Sequence, residues 1–277
     1  MTEKLFAINS VFISRENILF LEEWIDYHNL LGFNKFYLYD NSTVQKKCDY
    51  DKKHNCLIPG KVNKHNINYD QIVNLTDIEI KEILNNIEKK YKNVVHFIEW
   101  SPKDNDGNVL YNQVEAYADC LENFLKKDNI SWCSSLDMDE YIVINNGLSN
   151  NICEYINNLD NNISNIKLSQ KRCLNRFNIK TLITKNSITE MDDFDINHSC
   201  KNICKIEATS IMDIHECLTS GKQIHPSINE ICFNHYKLNR IINRKDLDNI
   251  NQEIKLKIED NYKNYFIYPY RTKNYDL

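Results

Sequence analysis

An apolar run, an amphipathic helix and a second apolar run within the first forty residues set the architecture. Leu5 to Phe12 is apolar and bounded, with Ile8 and Val11-Phe12 inside it, and reads as a strand. A polar break follows at Ser14-Arg15-Glu16-Asn17. Leu21, Trp24, Ile25, His28 and Leu31 then recur at helical spacing, and Gly32 closes that helix as a C-cap. Lys35-Phe36-Tyr37-Leu38-Tyr39 is a second strand, stopped by the turn cluster Asp40-Asn41-Ser42. Strand, helix, strand is a βαβ unit, the opening of an α/β fold in which a parallel sheet is covered by helices.

The same alternation continues. Cys48 to Tyr69 is polar and irregular, an excursion from the fold. Thr76 and Glu79 form a capping box for a helix carrying Ile80, Ile83, Leu84, Ile87 and Tyr91. Val94 to Ile98 is a third strand. Val114, Ala118, Leu121 and Leu125 mark another amphipathic helix. Trp132 to Leu136 is a fourth strand, with Tyr141-Ile142-Val143-Ile144 extended beyond it. With only five glycines and four prolines, punctuation is sparse and the second half is harder to divide. Ile163-Leu168, Ile203-Ala208 and Ile231-Asn234 read as strands, and Leu238 to Tyr262 as a charged helical tail. No repeat and no linker interrupts the chain, which is expected to form one domain over residues 1–277.

Composition narrows the function. A net charge of -5 leaves no electrostatic footprint for nucleic acid. No stretch reaches the roughly 18 apolar residues of a membrane span, and Met1-Thr2-Glu3-Lys4 does not open a signal-peptide core. A cytoplasmic location is expected. The ten cysteines are then expected to be mostly reduced, with no structural disulfide.

The chemistry concentrates at Ser134-Ser135-Leu136-Asp137-Met138-Asp139-Glu140. Two carboxylates one residue apart follow an apolar strand, and strict extended geometry places both on one face. At the carboxyl end of a parallel strand that face opens into the ligand crevice. Paired hard oxygen ligands there suit Mn²⁺ or Mg²⁺, which take their remaining ligands from water and substrate phosphates. Asp40 ends the second strand, where a carboxylate accepts bonds from ribose hydroxyls or a base N–H; as a turn residue alone it has no such role. Trp24 and His28 share a helix face with Leu21 and Leu31 and are expected to pack in the core. His198, Cys200 and Cys204 lack a well-spaced fourth ligand for zinc.

Arg15-Glu16-Asn17, Leu21-Glu22-Glu23-Trp24-Ile25-Asp26-Tyr27-His28, Leu31-Gly32-Phe33 and Phe36-Tyr37-Leu38-Tyr39-Asp40-Asn41-Ser42 follow one another in order. This block resembles the N-terminal signature of glycosyltransferase family 92 and its family-2-like relatives. Asp137-Met138-Asp139-Glu140-Tyr141, about a hundred residues later, matches their D-x-D-E-[FY] element. Gln113, Ala116-Tyr117-Ala118-Asp119-Cys120 and the late Asn234-His235-Tyr236 also match. The resemblance spans roughly residues 5 to 245. Aligned on Glu23-Trp24, the family's K-N-E becomes Arg15-Glu16-Asn17, which displaces the acid by one position.

The resemblance implies a GT-A (Rossmann-like) fold: a mixed, mostly parallel sheet flanked by helices. Residues 1–145 form its nucleotide-sugar-binding part, and residues 146–277 an acceptor-side part with the helical tail. It implies a metal-dependent, inverting transfer of a sugar from a nucleotide diphosphate, with UDP the expected nucleotide, to a hydroxyl of a glycan or other acceptor. Arg15, Asn17, Asp40 and Asp137 are then expected to contact the donor. Asp137, Asp139 and His235 are the expected ligands of Mn²⁺ or Mg²⁺, with His215 the alternative histidine. An inverting transfer needs a carboxylate to deprotonate the acceptor, and Glu190, Asp192 and Asp193 supply the acidic cluster for it. Two other readings stay open: a nucleotidyltransferase acting on a sugar phosphate, and a degenerate glycosyltransferase serving as a binding module. No Gly-rich phosphate loop follows the first strand, which counts against the former. The intact Asp137 and Asp139 count against the latter.

Overall fold

The computed structural model describes residues 4–18, 20–44, 75–145, 149, 151–173, 191–193 and 200–236, with the backbone alone at 16, 172, 173 and 191–193. The expected excursion at 48–69, the tail at 238–262, His198 and Glu190 lie outside the described residues.

The chain begins β1 (Phe6–Phe12), α1 (Ser14–Asn17), α2 (Leu21–Leu30) and β2 (Lys35–Asp40); β1, α2 and β2 form as the opening pattern predicts, and the expected polar break at 14–17 is instead the short helix α1. Gly32 has φ 105°, and a Cβ there would stand 3.3 Å from Ile152 Cγ2, so this C-cap needs glycine. α3 (Asp77–Lys90) starts at Thr76, where both halves of the capping box form. β3 (Val95–Glu99), α4 (Gln113–Cys120) with a π turn at Leu121–Leu125, and β4 (Trp132–Ser135) follow. β3, β2, β1 and β4 lie side by side and are all parallel.

Alternation along β1 and β2 sends side chains to two cores. Phe6, Ile8, Phe12, Phe36 and Leu38 pack with Trp24, Ile25, Ile80 and Ile87 of α2 and α3. Ala7, Val11, Tyr37 and Tyr39 pack with Ala116, Tyr117 and Leu121 of α4 and its π turn. The sheet is thus covered on both faces, which is what lets β1 be buried at every residue.

Beyond β4 the sheet becomes mixed, with antiparallel pairs among the parallel ones. β5 (Glu140–Ile144) and α5 (Ile152–Asn157) precede the long β6 (Ile163–Cys173). Along one edge β6 pairs antiparallel with β8 (Lys201–Lys205) and then β7 (Met191–Asp193). Along the other it pairs parallel with β11 (Lys222–Ile224) and then β12 (Ile231–His235). β8 runs antiparallel to β4, and β5 antiparallel to β12. β9 (Thr209–Met212) and β10 (Cys217–Thr219) make a separate hairpin. The architecture is a mixed α/β fold with one large curled sheet.

β5 does not continue β4, as its sequence suggests. It lies at the far end of the sheet, and α2 closes its open edge with side chains. Trp24 Nε1 donates to Glu140 O at 2.9 Å, and Tyr27 Oη donates to Ile142 O at 2.8 Å. His28 Nε2 accepts from the Ile142 N–H at 3.3 Å, while Nδ1 donates to Trp24 O at 2.9 Å. Both ring nitrogens of the buried His28 are thereby assigned. Burial pushes its pKa down to about 3 and keeps it neutral. The Trp-x₂-Tyr-His run of the helix is a backbone clamp, and the expectation that Trp24 and His28 serve the core holds.

Cys204 and Cys217 form a disulfide, which overturns the expectation of none. The β9–β10 hairpin folds back along β8. There Asn202 Nδ2 and the Cys200 thiol both donate to His215 O, and Asn165 Nδ2 donates to Cys217 O. This lacing brings together two cysteines that sequence spacing alone does not pair. It also removes Cys204 from any zinc set. Cys120, Cys133, Cys153 and Cys200 are free among the described residues. None of the described helices is long and apolar enough to cross a membrane.

Candidate functional site

Strand directions bring the chemistry to one end of the sheet. β1, β2, β4, β6 and β12 end there, and β5 and β8 begin there. Asp40, the Asp137–Glu140 segment, Gln170, Lys201 and His235 all occupy these termini. A cavity of about 500 Å³ lies at the opposite end, between Lys4, Trp132, Ile163 and Lys205, and holds none of these residues.

The acidic element is a turn, not the extended strand that was expected. Glu140 N–H bonds Asp137 O at 3.0 Å, and Asp137 N–H bonds Glu140 Oε2 at 2.9 Å. Met138 inserts into the apolar core at 4% exposure, which forces the chain to turn around it. The two aspartates consequently meet different partners.

Asp137 Oδ2 lies 3.2 Å from Lys201 Nζ, and its Oδ1 accepts from Gln113 Nε2 at 2.9 Å. Asn112 sets that approach. It adopts left-handed backbone (φ 36°), which asparagine tolerates, immediately before Gln113 opens α4. Gln113 Nε2 also reaches Tyr117 Oη at 2.6 Å. Burial disfavours the Asp137 charge, but Lys201, His235 and Gln113 outweigh it and hold the carboxyl below its ordinary value.

Asp139 Oδ2 faces His235 Nε2 at 3.3 Å. The next residue adds a second tie, since Tyr236 N–H donates to Asp139 O at 2.8 Å. The late His-Tyr pair thus holds Asp139 at both its side chain and its backbone. Gln170 Nε2 lies 2.9 Å from His235 Nδ1. Burial favours neutral His235, but Asp139 first and Glu140 after it raise its pKa above the usual histidine value.

Glu140, which sequence reasoning left without a role, is buried between these pairs. Its Oε2 lies 3.0 Å from Lys201 Nζ and its Oε1 3.9 Å from His235 Nδ1. Burial pushes its pKa up to about 7, against the pull of Lys201. Lys201 is 1% exposed. Burial opposes its charge, but Asp137 and Glu140 more than reverse this and raise its pKa.

The remaining expected site residues are dispersed. Asp40 Oδ2 accepts from Ser14 Oγ at 2.6 Å, and its Oδ1 accepts from the Ser42 N–H at 3.1 Å. Arg15 donates to Leu75 O at 2.6 Å and pairs with Asp77 at the start of α3. Asn17 ends α1. His215 belongs to the hairpin lacing, where its Nδ1 donates to Cys200 O at 2.9 Å. Asp192 and Asp193 lie on β7, opposite Arg172 and Lys171 of β6. Arg172 is in turn opposite His235, and His235 opposite Glu140. Glu140, His235, Arg172 and Asp192 therefore form one register row across four strands.

Among the described residues no three His, Cys, Asp or Glu side chains converge as a ready metal cage. Asp139 and His235 offer one hard oxygen and one imidazole nitrogen across a short gap. That donor set fits Mn²⁺ bound with help from substrate phosphate and water.

No curated protein matches the chain. The family model of glycosyltransferase family 92 matches residues 69–272, the greater part of the chain. The matched span contains the acidic turn, Gln113, Gln170, Lys201 and His235, and begins after Arg15, Asn17 and Asp40. Those residues and that span assign the chain, as a glycosyltransferase enzyme, to glycosyltransferase family 92, to which it belongs.

Proposed function

We propose that the enzyme is a GT-A glycosyltransferase that moves a sugar from a nucleotide diphosphate, most simply UDP, to a hydroxyl acceptor with inversion. The observation that carries this is the pairing of Asp139 with His235 at the end of the sheet where the parallel strands terminate. Asp139 and His235 hold Mn²⁺ or Mg²⁺, and the histidine favours Mn²⁺. A bound ion supplies neutralisation of charge on the departing diphosphate.

The chain's own residues do the rest. For His235 to present a lone pair at Nε2, Nδ1 must carry the proton. Gln170 then turns its amide so that oxygen accepts that proton, the usual support of a ligating histidine. Asp137, steadied by Gln113 and Lys201, accepts hydrogen bonds from the donor's ribose. Asp40 serves the nucleoside with Arg15 and Asn17 nearby in the chain.

Asp192 is the preferred base among Glu190, Asp192 and Asp193. It shares a register row with His235 two strands away, about 10 Å at roughly 4.8 Å per strand. Asp192 takes the hydroxyl proton as the oxygen attacks the anomeric carbon.

A panel of nucleotide-sugars with Mn²⁺, scored for nucleoside diphosphate release, tests the reading. Release with wild type and its loss in Asp139→Asn is the expected result. Wild-type turnover in Asp139→Asn places the metal elsewhere and refutes the assignment.

A further inference from the structure

Lys201 is the one fully buried cation in the described part of the site, and the transfer described above gives it no chemistry of its own. Its ammonium contacts Asp137 Oδ2 at 3.2 Å and Glu140 Oε2 at 3.0 Å. A buried ammonium is tolerated only when carboxylates surround it. It is therefore held in place, unlike a surface lysine that swings away. The other oxygen of Asp137 receives Gln113. A divalent cation seeking Asp137 as a ligand meets a fixed positive charge against the very oxygen it needs. Asp139 differs, because its near neighbour is the imidazole of His235, itself a ligand type for the same ion, and not a fixed ammonium.

We propose that Lys201 is a resident counter-ion that keeps Asp137 out of the metal's coordination shell and reserves it for the donor. Asp139 and His235 are then the protein ligands. The inference rests on the metal reading above, yet it has its own sign. Removing Lys201 should tighten metal binding, because Asp137 becomes available and a repulsive charge is lost. A residue with a merely structural role would loosen it.

The test is a Mn²⁺ titration without nucleotide, following the spin-resonance signal of free Mn²⁺, with circular dichroism as a check on folding. Lys201→Met should bind Mn²⁺ at least about tenfold more tightly than wild type, the scale of a nearby unit charge. Adding Asp137→Asn should cancel the gain. Unchanged or weaker binding by folded Lys201→Met overturns the proposal and leaves the metal reading standing. So does a gain that survives the addition of Asp137→Asn. Binding by Lys201→Met and none by wild type supports the counter-ion role, and if wild type still binds none when UDP is added, the metal is removed from the native reaction. No binding by either protein, with or without UDP, refutes both. If Lys201→Met does not fold, the double variant Lys201→Met with Glu140→Gln removes the uncompensated carboxylate, and the same outcomes decide.

Discussion

The clamp between α2 and β5 makes a quantitative prediction, because His28 must stay neutral to hold it. In the folded protein its pKa is about 3, against an ordinary value of 6.5. Below pH 6.5 the unfolded chain takes up a proton that the folded chain refuses, so stability falls as pH falls. The loss is about 1.4 kcal/mol at about pH 5.5 and about 2.7 kcal/mol at about pH 4.5. Glu140 acts in the opposite direction. Its pKa rises from 4.5 to about 7 on folding, so the folded state gains a proton first and stability rises as pH falls through that window. The wild-type profile is therefore a sum of opposed contributions, and only a difference isolates His28. His28→Phe keeps an aromatic ring against Trp24, Tyr27 and Tyr141 but deprives the Ile142 N–H of its acceptor. That costs about 1–3 kcal/mol near neutral pH. The variant lacks the acid penalty, so the two stabilities should converge as pH falls and cross at about pH 5 for a hydrogen-bond cost of about 2 kcal/mol. Urea unfolding followed by tryptophan fluorescence measures both proteins across this range. A gap that stays constant from about pH 7.5 to about pH 4.5 would show that His28 does not remain neutral, and the tautomer argument fails with it.

Two further outcomes are expected. Asp40→Ala should weaken UDP binding about tenfold, the equivalent of about 1.4 kcal/mol, while Mn²⁺ affinity holds; unchanged UDP affinity in calorimetry leaves Asp40 only its serine bonds. Cys204 and Cys217 should resist alkylation until reduced, and replacing both with serine should cost about 3 kcal/mol for a loop of 13 residues. Labelling of both thiols in unreduced protein refutes the pairing.

The fold was most legible where local rules act alone. The opening strand, helix and strand, the capping box at Thr76 and Glu79, and the turn at Gly32 depend on neighbours within a few residues, and each forms as read. The second half resists because its order is topological. β6 changes partners midway along each edge, and short exposed strands such as β10 and β11 carry no alternation to betray them. The acidic element was visible as chemistry but misjudged as geometry. Reading Asp137 and Asp139 as a strand ignored Met138, whose burial turns the chain and separates its neighbours. Glu140 and Lys201 had no signal of their own. A lysine at the start of a strand looks like any surface lysine, until β8 runs antiparallel beside β4 and delivers it to the turn.

That delivery explains why two identical side chains in one short motif need not do one job. Asp137 is fixed by α4 and β8, through Gln113 and Lys201, while Asp139 is fixed by β12, through His235 and Tyr236. Glu140 sits between the two sets, and its backbone is held from behind by Trp24. A displacement of β8 would therefore disturb the first acid and Glu140 and leave the second in place. A displacement of β12 would disturb the second acid and Glu140 and leave the first in place. The helix carrying Trp24, Tyr27 and His28 reaches neither aspartate through these bonds, yet it sets the edge of β5 from which Glu140 projects. Conservative changes in that helix should consequently alter the site through Glu140 first, before the Asp139–His235 pair is affected.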